Sequence, residues 1–311
     1  MEQQIGGYLF AYFTGEWSPM GEQIYFAVSR DGLHWKDLNE AETPALVNPL
    51  GTGGARDPFL IRDPKGGYHL IATDLKIYEG EGWEASVTRG SRSLVIWDSP
   101  DLVHWSEARL AELAVPGAGC LWAPEAVYDE EREEFFVFFA SMVKEEKDTE
   151  PKQRIYAART RDFITFAPTV KYIERSMHVI DTTMIRDGKR WYRFSKNEST
   201  KRVDMEVADS LEGPFAPVSC RALEAMENIE GPEIYPMPDG GYCLIVDHFK
   251  EQGGGYRPML IRDLAEGAFA EVTPGEYDMG ITRKRHGGVL PLTHEEYEQV
   301  STSYPAAGQT R

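Results

Sequence analysis

The stretches IYFAVSRDGLHW (Ile24 to Trp35) and LVIWDSPDLVHW (Leu94 to Trp105) decide the fold: each runs β-rich residues into an aspartate, an apolar residue and an aromatic. The form returns as IYAARTRDFITF around Asp162, MEVADSLEGPF around Asp209 and MLIRDLAEGAF around Asp263. Counted from Asp31, the aspartates are 70, 61, 47 and 54 residues apart. Upstream of four of them lie two β-rich runs joined by a polar turn: FLIRDPKGGYHLIAT, AVYDEEREEFFVFFA, TMIRDGKRWYRFS and EIYPMPDGGYCLIV. Those turns offer positive φ or local side-chain hydrogen bonds, the chemistry of hairpins.

Four-stranded units at such a period predict an all-β, five-bladed β-propeller. The first repeat has one run, GYLFAYFTG, before IYFAVS, while RHGGVLPLT (Arg285 to Thr293) has no repeat of its own. Pairing them closes the ring, so the closing blade is expected from the N-terminal segment plus one C-terminal strand. A single propeller domain over residues 1–300 and a tail over 301–311 follow. Insertions such as Lys76 to Arg92 are expected in loops, and THEEYEQV is expected as a short helix capped by Thr293. The competing reading, a β-sandwich, has no need of a recurring aspartate after every third run.

Composition narrows the function. The 311 residues carry a formal net charge of -18 with 41% hydrophobic and 27% charged residues, an ordinary globular balance on an acidic surface. Such a surface repels phosphate backbones and anionic lipid, so nucleic-acid and membrane partners are not expected and a neutral or cationic substrate is. Cys120, Cys220 and Cys243 lack metal-ligand spacing and read as reduced core residues. The opening MEQQIGGYLFAYFTGEW has no basic n-region, and no apolar run approaches the roughly 18 residues of a membrane span, which suggests a cytoplasmic location.

In a propeller the starts of the innermost strands converge at the channel mouth. Here they read ARDPFL (Asp57), WAPEAV (Trp122, Glu125), IDTTMI (Asp181), EGPEIY (Glu230, Glu233) and RHGGVL (Arg285, His286). Taken singly, Asp57 is equally a turn residue, Asp181 a loop cap, and Glu233 a rival of Glu230. Together, acidic and aromatic groups recur where a structural turn needs neither.

These motifs, in this order from Gly7 to Thr293, resemble glycoside hydrolase family 43, five-bladed propellers that are mostly α-L-arabinofuranosidases, β-xylosidases and arabinanases. Two departures accompany the resemblance: about fifty residues precede the Asp-Pro blade, and the ring closes largely from the N-terminus. The resemblance implies Asp57 as general base, Glu230 as general acid and Asp181 as a third carboxylate raising the pKa of the acid. Inversion, with base and acid about 6.5 to 9.5 Å apart, rests on the same resemblance. Trp122 is expected as the pocket wall, Arg285 as a donor to a sugar hydroxyl or a carboxylate, and Arg56 beside Asp57 with its direction open. Trp83 and Trp17 are expected at the entrance or in loop packing. No cofactor is required; His286 stands either beside a hydrated calcium ion in the channel or hydrogen-bonded without metal, and no calcium-loop sequence is present.

The implied activity is exo-acting release of a terminal α-L-arabinofuranosyl unit from neutral, plant-derived oligosaccharides of the kind met in xylan degradation, with β-xylosidase or exo-galactosidase as neighbours. A sugar-binding propeller without catalysis is the alternative of another class, and a phosphorylase or fructan hydrolase a third. The phosphorylase lacks a basic phosphate pocket around these motifs. The fructan enzyme lacks its Asn-Asp-Pro opening and later Arg-Asp-Pro.

Overall fold

The computed structural model describes residues 4–113, 115–251 and 254–304. Among these, five antiparallel sheets of four strands each form the blades of a five-bladed propeller. The innermost strands are Arg56–Arg62, Trp122–Asp129, Val179–Asp187, Glu230–Pro236 and Gly288–Leu292, and each contacts the next around a closed ring. The last of these belongs to the closing blade: Gly288–Leu292 pairs with Gly7–Tyr12, Leu290 opposite Leu9, followed outward by Tyr25–Ser29 and Trp35–Asp37. That is the assembly read from the two ends of the sequence.

Strand patterns follow blade position. The second strands of the closing and first blades, Gly7–Tyr12 and Tyr68–Thr73, are buried at every residue because neighbouring blades cover both faces. They therefore read as continuous apolar runs, whereas the outer strand Arg109–Glu112 has no fully buried residue. Between the closing and first blades, Leu9, Phe26, Leu70, Val95, Trp97 and Leu290 form one core, and burying each such side chain stabilises by roughly 1.5–3 kcal/mol.

The recurring aspartate builds the turn from third to fourth strand. Asp31 accepts from the N–H groups of Leu33 and His34, Asp101 from Val103 and His104, and Asp162 from Ile164 and Thr165. Asp263 accepts from Ala265, while in the Asp209 turn the hydroxyl of Ser210 accepts from Glu212 instead. His34 and His104 each contact the aspartate of their own turn, at 2.8 and 2.7 Å, and are thereby absorbed by the blade.

Two segments refine the sequence reading. The Lys76 to Arg92 insertion, expected as loop, contains the α-helix Trp83–Arg89; its two turns are too short for periodicity to reveal. Ser86 and Thr88 donate back to the carbonyls of Gly82 and Glu84, and Ala85 and Ser86 are buried. The C-terminal helix His294–Ser303 begins with Thr293 in a capping box with Glu296 and runs past residue 300, into the stretch expected as tail. Residues 305–311 of that tail lie outside the described residues. Glu296 also accepts from Arg62 at 2.9 Å, tying the end of the chain to the first blade. Cys120, Cys220 and Cys243 are buried and free. Among the described residues no helix is long and apolar enough to cross a membrane.

Candidate active site

On four inner strands the residues singled out lie at or beside bulges, while Arg285 and His286 come just before the closing strand. Pairing with the second strand slips between Arg56 and Phe59, Trp122 and Glu125, Ile180 and Thr182, and Glu230 and Glu233. The displaced residue is left-handed each time: Asp57 (φ 50°), Ala123 (47°), Asp181 (45°) and Gly231 (52°). A bulge bends its strand and re-aims the side chains beside it. For a residue with a Cβ this backbone costs about 1–2 kcal/mol, so surrounding bonds must hold it. The Thr73 hydroxyl donates to Asp57 Oδ2 at 2.9 Å and accepts from the Ala123 N–H at 2.8 Å, and the Gly231 N–H donates to Asp181 Oδ2 at 3.2 Å.

The bulges open onto a cavity of about 390 Å³ whose lining includes Asp57, Asp181 and Glu230 together with Arg56, Trp83, Trp122, Arg285 and His286. The structure thus brings together every residue selected from the sequence for this site. The short helix of the insertion presents Trp83 edge-on to Trp122, their ring centres 6.1 Å apart. Arg56 turns away from its neighbour Asp57. Its guanidinium donates to buried Glu22 at 2.9 Å and lies over the rings of Phe13 (4.4 Å) and Trp83 (4.9 Å). Exposed Trp17 and half-buried Phe249 form further apolar lining.

Charge separates the carboxylates. Glu230 accepts from Lys196 Nζ and from Arg285 Nη2, each at 2.7 Å, while Arg285 Nε donates to Asp247 at 2.6 Å. Burial pushes Glu230 up, but the two cations outweigh it and hold the carboxyl at about 2. The expectation that Asp181 keeps Glu230 protonated is thereby corrected: one anion does not compete with two bonded cations. Asp181 itself is raised, by burial first and by the charges of Glu230 and Asp57, against His286 and Lys196. His286 Nδ1 lies 3.6 Å from Asp57 and 3.9 Å from Asp181, between the two carboxylates.

Glu233 sits elsewhere. It accepts from the Val289 N–H at 2.6 Å and the Thr183 hydroxyl at 3.2 Å, is 2% exposed, and lines no part of the cavity. Burial raises it to about 8, and Glu125 beside it is raised as well, by burial first and then by the charge of Glu233. Among the described residues no three or more His, Cys, Asp or Glu are grouped to hold a metal ion, and His286 Nδ1 faces the two aspartates.

Thr73, Lys196, Asp247, Glu16 and Glu22 were not selected from the sequence. Three of them carry a signal in the hairpin register. Thr73 pairs with Arg56, Lys196 with Ile180 and Asp247 with Glu230, so the end of each second strand faces the start of its inner strand. Counting back across each polar turn finds them. Glu16 and Glu22 reach the site from the loop between the first two strands of the chain, which no local pattern announces.

Known proteins resemble this chain in sequence and in fold. A 30% identical α-L-arabinofuranosidase from Bifidobacterium longum aligns over 290 residues, covering 78% of this chain and 27% of that protein, so the chain spans about a quarter of its length. An exo-β-1,3-galactanase from Phanerochaete chrysosporium, solved with galactose, shares the fold at a TM-score of 0.59 and 13% identity over 86% of this chain and 61% of its own. The catalytic domain of a family 62 α-L-arabinofuranosidase from Coprinopsis cinerea does so at 0.54 and 16%, covering 72% and 70%. The model of a related family 43 group, described as a probable glycosyl hydrolase domain, matches residues 3–298. The chain therefore belongs to that family and is a glycoside hydrolase of the family 43 type.

Proposed function

We propose that the cavity removes a terminal α-L-arabinofuranosyl unit from an oligosaccharide with inversion. The observation that carries this reading is the convergence of Asp57, Asp181 and Glu230 on one aromatic-walled cavity, and the arabinofuranosidase relative supports the choice of sugar. At about 390 Å³ the cavity is at the small end of the ligand-pocket range, roughly 300–1,000 Å³, which favours a single terminal ring over a run of sugars.

Asp57, oriented by Thr73, takes a proton from a water whose oxygen attacks the anomeric carbon. The bond from that carbon to the leaving oxygen breaks, and Glu230 supplies the proton the leaving oxygen needs. Asp181 fixes the Gly231 peptide next to Glu230 and shares His286 with Asp57. Trp83 and Trp122 offer apolar faces for the sugar, and Arg56 stiffens that wall.

Release of 4-nitrophenol from the α-L-arabinofuranoside, and not from the β-xyloside or β-galactoside, is the expected result. Release from the xyloside or galactoside alone would move the assignment to that sugar. No release from any of the three would overturn the reading.

A further inference from the structure

We infer that Lys196 is a positioning residue that governs the proton on Glu230, and that Glu198 is the partner holding Lys196 when a sugar separates it from Glu230; this rests on the proposed role of Glu230 as proton donor. The Lys196 ammonium stands 2.7 Å from Glu230 Oε2 and 2.7 Å from Glu198 Oε2. The lysine is buried on all sides, at the end of the second strand of the third blade. Glu198 lines the same cavity, is also held by Lys201, and its buried Oε2 pairs with the Lys196 ammonium. A second carboxylate thus already pairs with Lys196 and needs no movement of the backbone to hold it.

A proton donor has to carry its proton when the leaving oxygen arrives, and two cations on one carboxylate work against that. One of them must withdraw. Arg285 is the fixed one: Asp247 holds its Nε at 2.6 Å, and its guanidinium lies 5.8 Å from the ring centres of Phe13 and Trp17. Lys196 is a point charge on a flexible stem with a second carboxylate beside it. When the sugar enters between Glu230 and Lys196, the ammonium stays neutralised by Glu198, and Glu230 takes a proton from solvent. The other charges facing Glu230 are Asp181 from the third blade and Asp247 from its own, with Glu16 behind Arg285 at 3.9 Å and His286 packed against Gly231. Asp247 Oδ1 and Glu16 Oε2 beside Arg285 are likewise buried, so what separates the two cations is that Arg285 is pinned through Nε to Asp247 while the Lys196 stem is flexible.

The test compares wild type, Lys196→Met and Glu198→Gln by two readouts: the pH profile of kcat/KM on the arabinofuranoside, and carbon NMR titration of the glutamate carboxyls in the sugar-free protein, with Glu230→Gln assigning the signal. Lys196→Met is expected to move the Glu230 titration and the alkaline limb of the profile to higher pH by about one unit or more, a tenfold change in proton affinity. Glu198→Gln is expected to move both to lower pH, since Lys196 then keeps Glu230 as its hydrogen-bonded carboxylate. Titration of Glu230 at one pH in all three proteins, or shifts of the same sign, would overturn the inference. Opposite carboxyl shifts in a protein that cleaves no glycoside would uphold the control of Glu230 by Lys196 and sink the glycosidase reading instead.

Discussion

Two sets of carboxylates lie along the inner strands, and their surroundings differ. At the strand starts, Asp57, Asp181 and Glu230 border the cavity and meet cationic or ionisable groups: His286 between the aspartates, Lys196 and Arg285 on the glutamate. Three residues past Trp122 and Glu230 on their inner strands, Glu125 and Glu233 are sealed around the Thr183 hydroxyl, and burial drives both upward. Identity as a carboxylate therefore says little about role. Access to the cavity exposes a carboxylate to substrate and a neighbouring cation favours its charged form, whereas burial without a cation favours the neutral form.

The sharpest break of this comparison is Asp57→Asn, which keeps the shape and the contact with Thr73 but cannot take a proton. Turnover of the arabinofuranoside is expected to fall by about two to four orders of magnitude with thermal stability nearly unchanged. Wild-type rates in this variant would remove Asp57 from the chemistry.

Gly231→Ala tests the backbone beneath the first set. A Cβ there would come within 2.7 Å of the His286 ring, at a φ of 52° that already disfavours it. A loss of about 1–3 kcal/mol in stability is expected, with kcat/KM falling by about tenfold or more as His286 is displaced from the aspartates. Denaturant titration and steady-state kinetics measure the two effects separately.

Glu233→Gln probes the second set. Folding raises this carboxyl to about 8 from an ordinary value of about 4.3, so the folded protein holds a proton that the unfolded chain releases. The stability this confers is fully present below about pH 4.3 and is lost as pH rises through about 8, at a slope of up to about 1.4 kcal/mol per unit. The variant should flatten that slope in denaturant titrations between pH 5 and 8 while turnover stays within a few-fold of wild type. A slope equal to that of wild type would show that Glu233 is ionised in the folded protein.

The smallest effect is expected from Ala123→Gly, at the bulge that carries no chemistry. Relief of the left-handed backbone should outweigh the entropy of glycine and stabilise the fold by up to about 1 kcal/mol, read as a rise in Tm. The same backbone device thus tolerates relief in the second blade, whereas the aspartate of the first blade is needed for its side chain.

Much of this was legible beforehand. The five recurring aspartates count the blades, because in four of the turns the aspartate is the side-chain acceptor that the turn needs. GYLFAYFTG and RHGGVLPLT, lacking partners of their own, disclose how the ring closes. The five strand starts name Asp57, Trp122, Asp181, Glu230 and Arg285 with His286, since antiparallel blades around an axis must bring those positions together. The helix at Trp83 was hidden, being too short to impose a period.

What only the tertiary structure decided is the state of those residues. Lys196 stands 34 positions before Glu230 and Arg285 stands 55 after it, on different blades, and their meeting on one carboxylate depends on hairpin register and blade packing rather than on any local pattern. Arg56, adjacent to Asp57 in sequence, serves Glu22 instead. The sequence by itself determined which side chains reach the axis, because alternation and turn chemistry are local. Their charges and proton affinities are sums over neighbours supplied by other strands, and those sums exist only once the ring has closed.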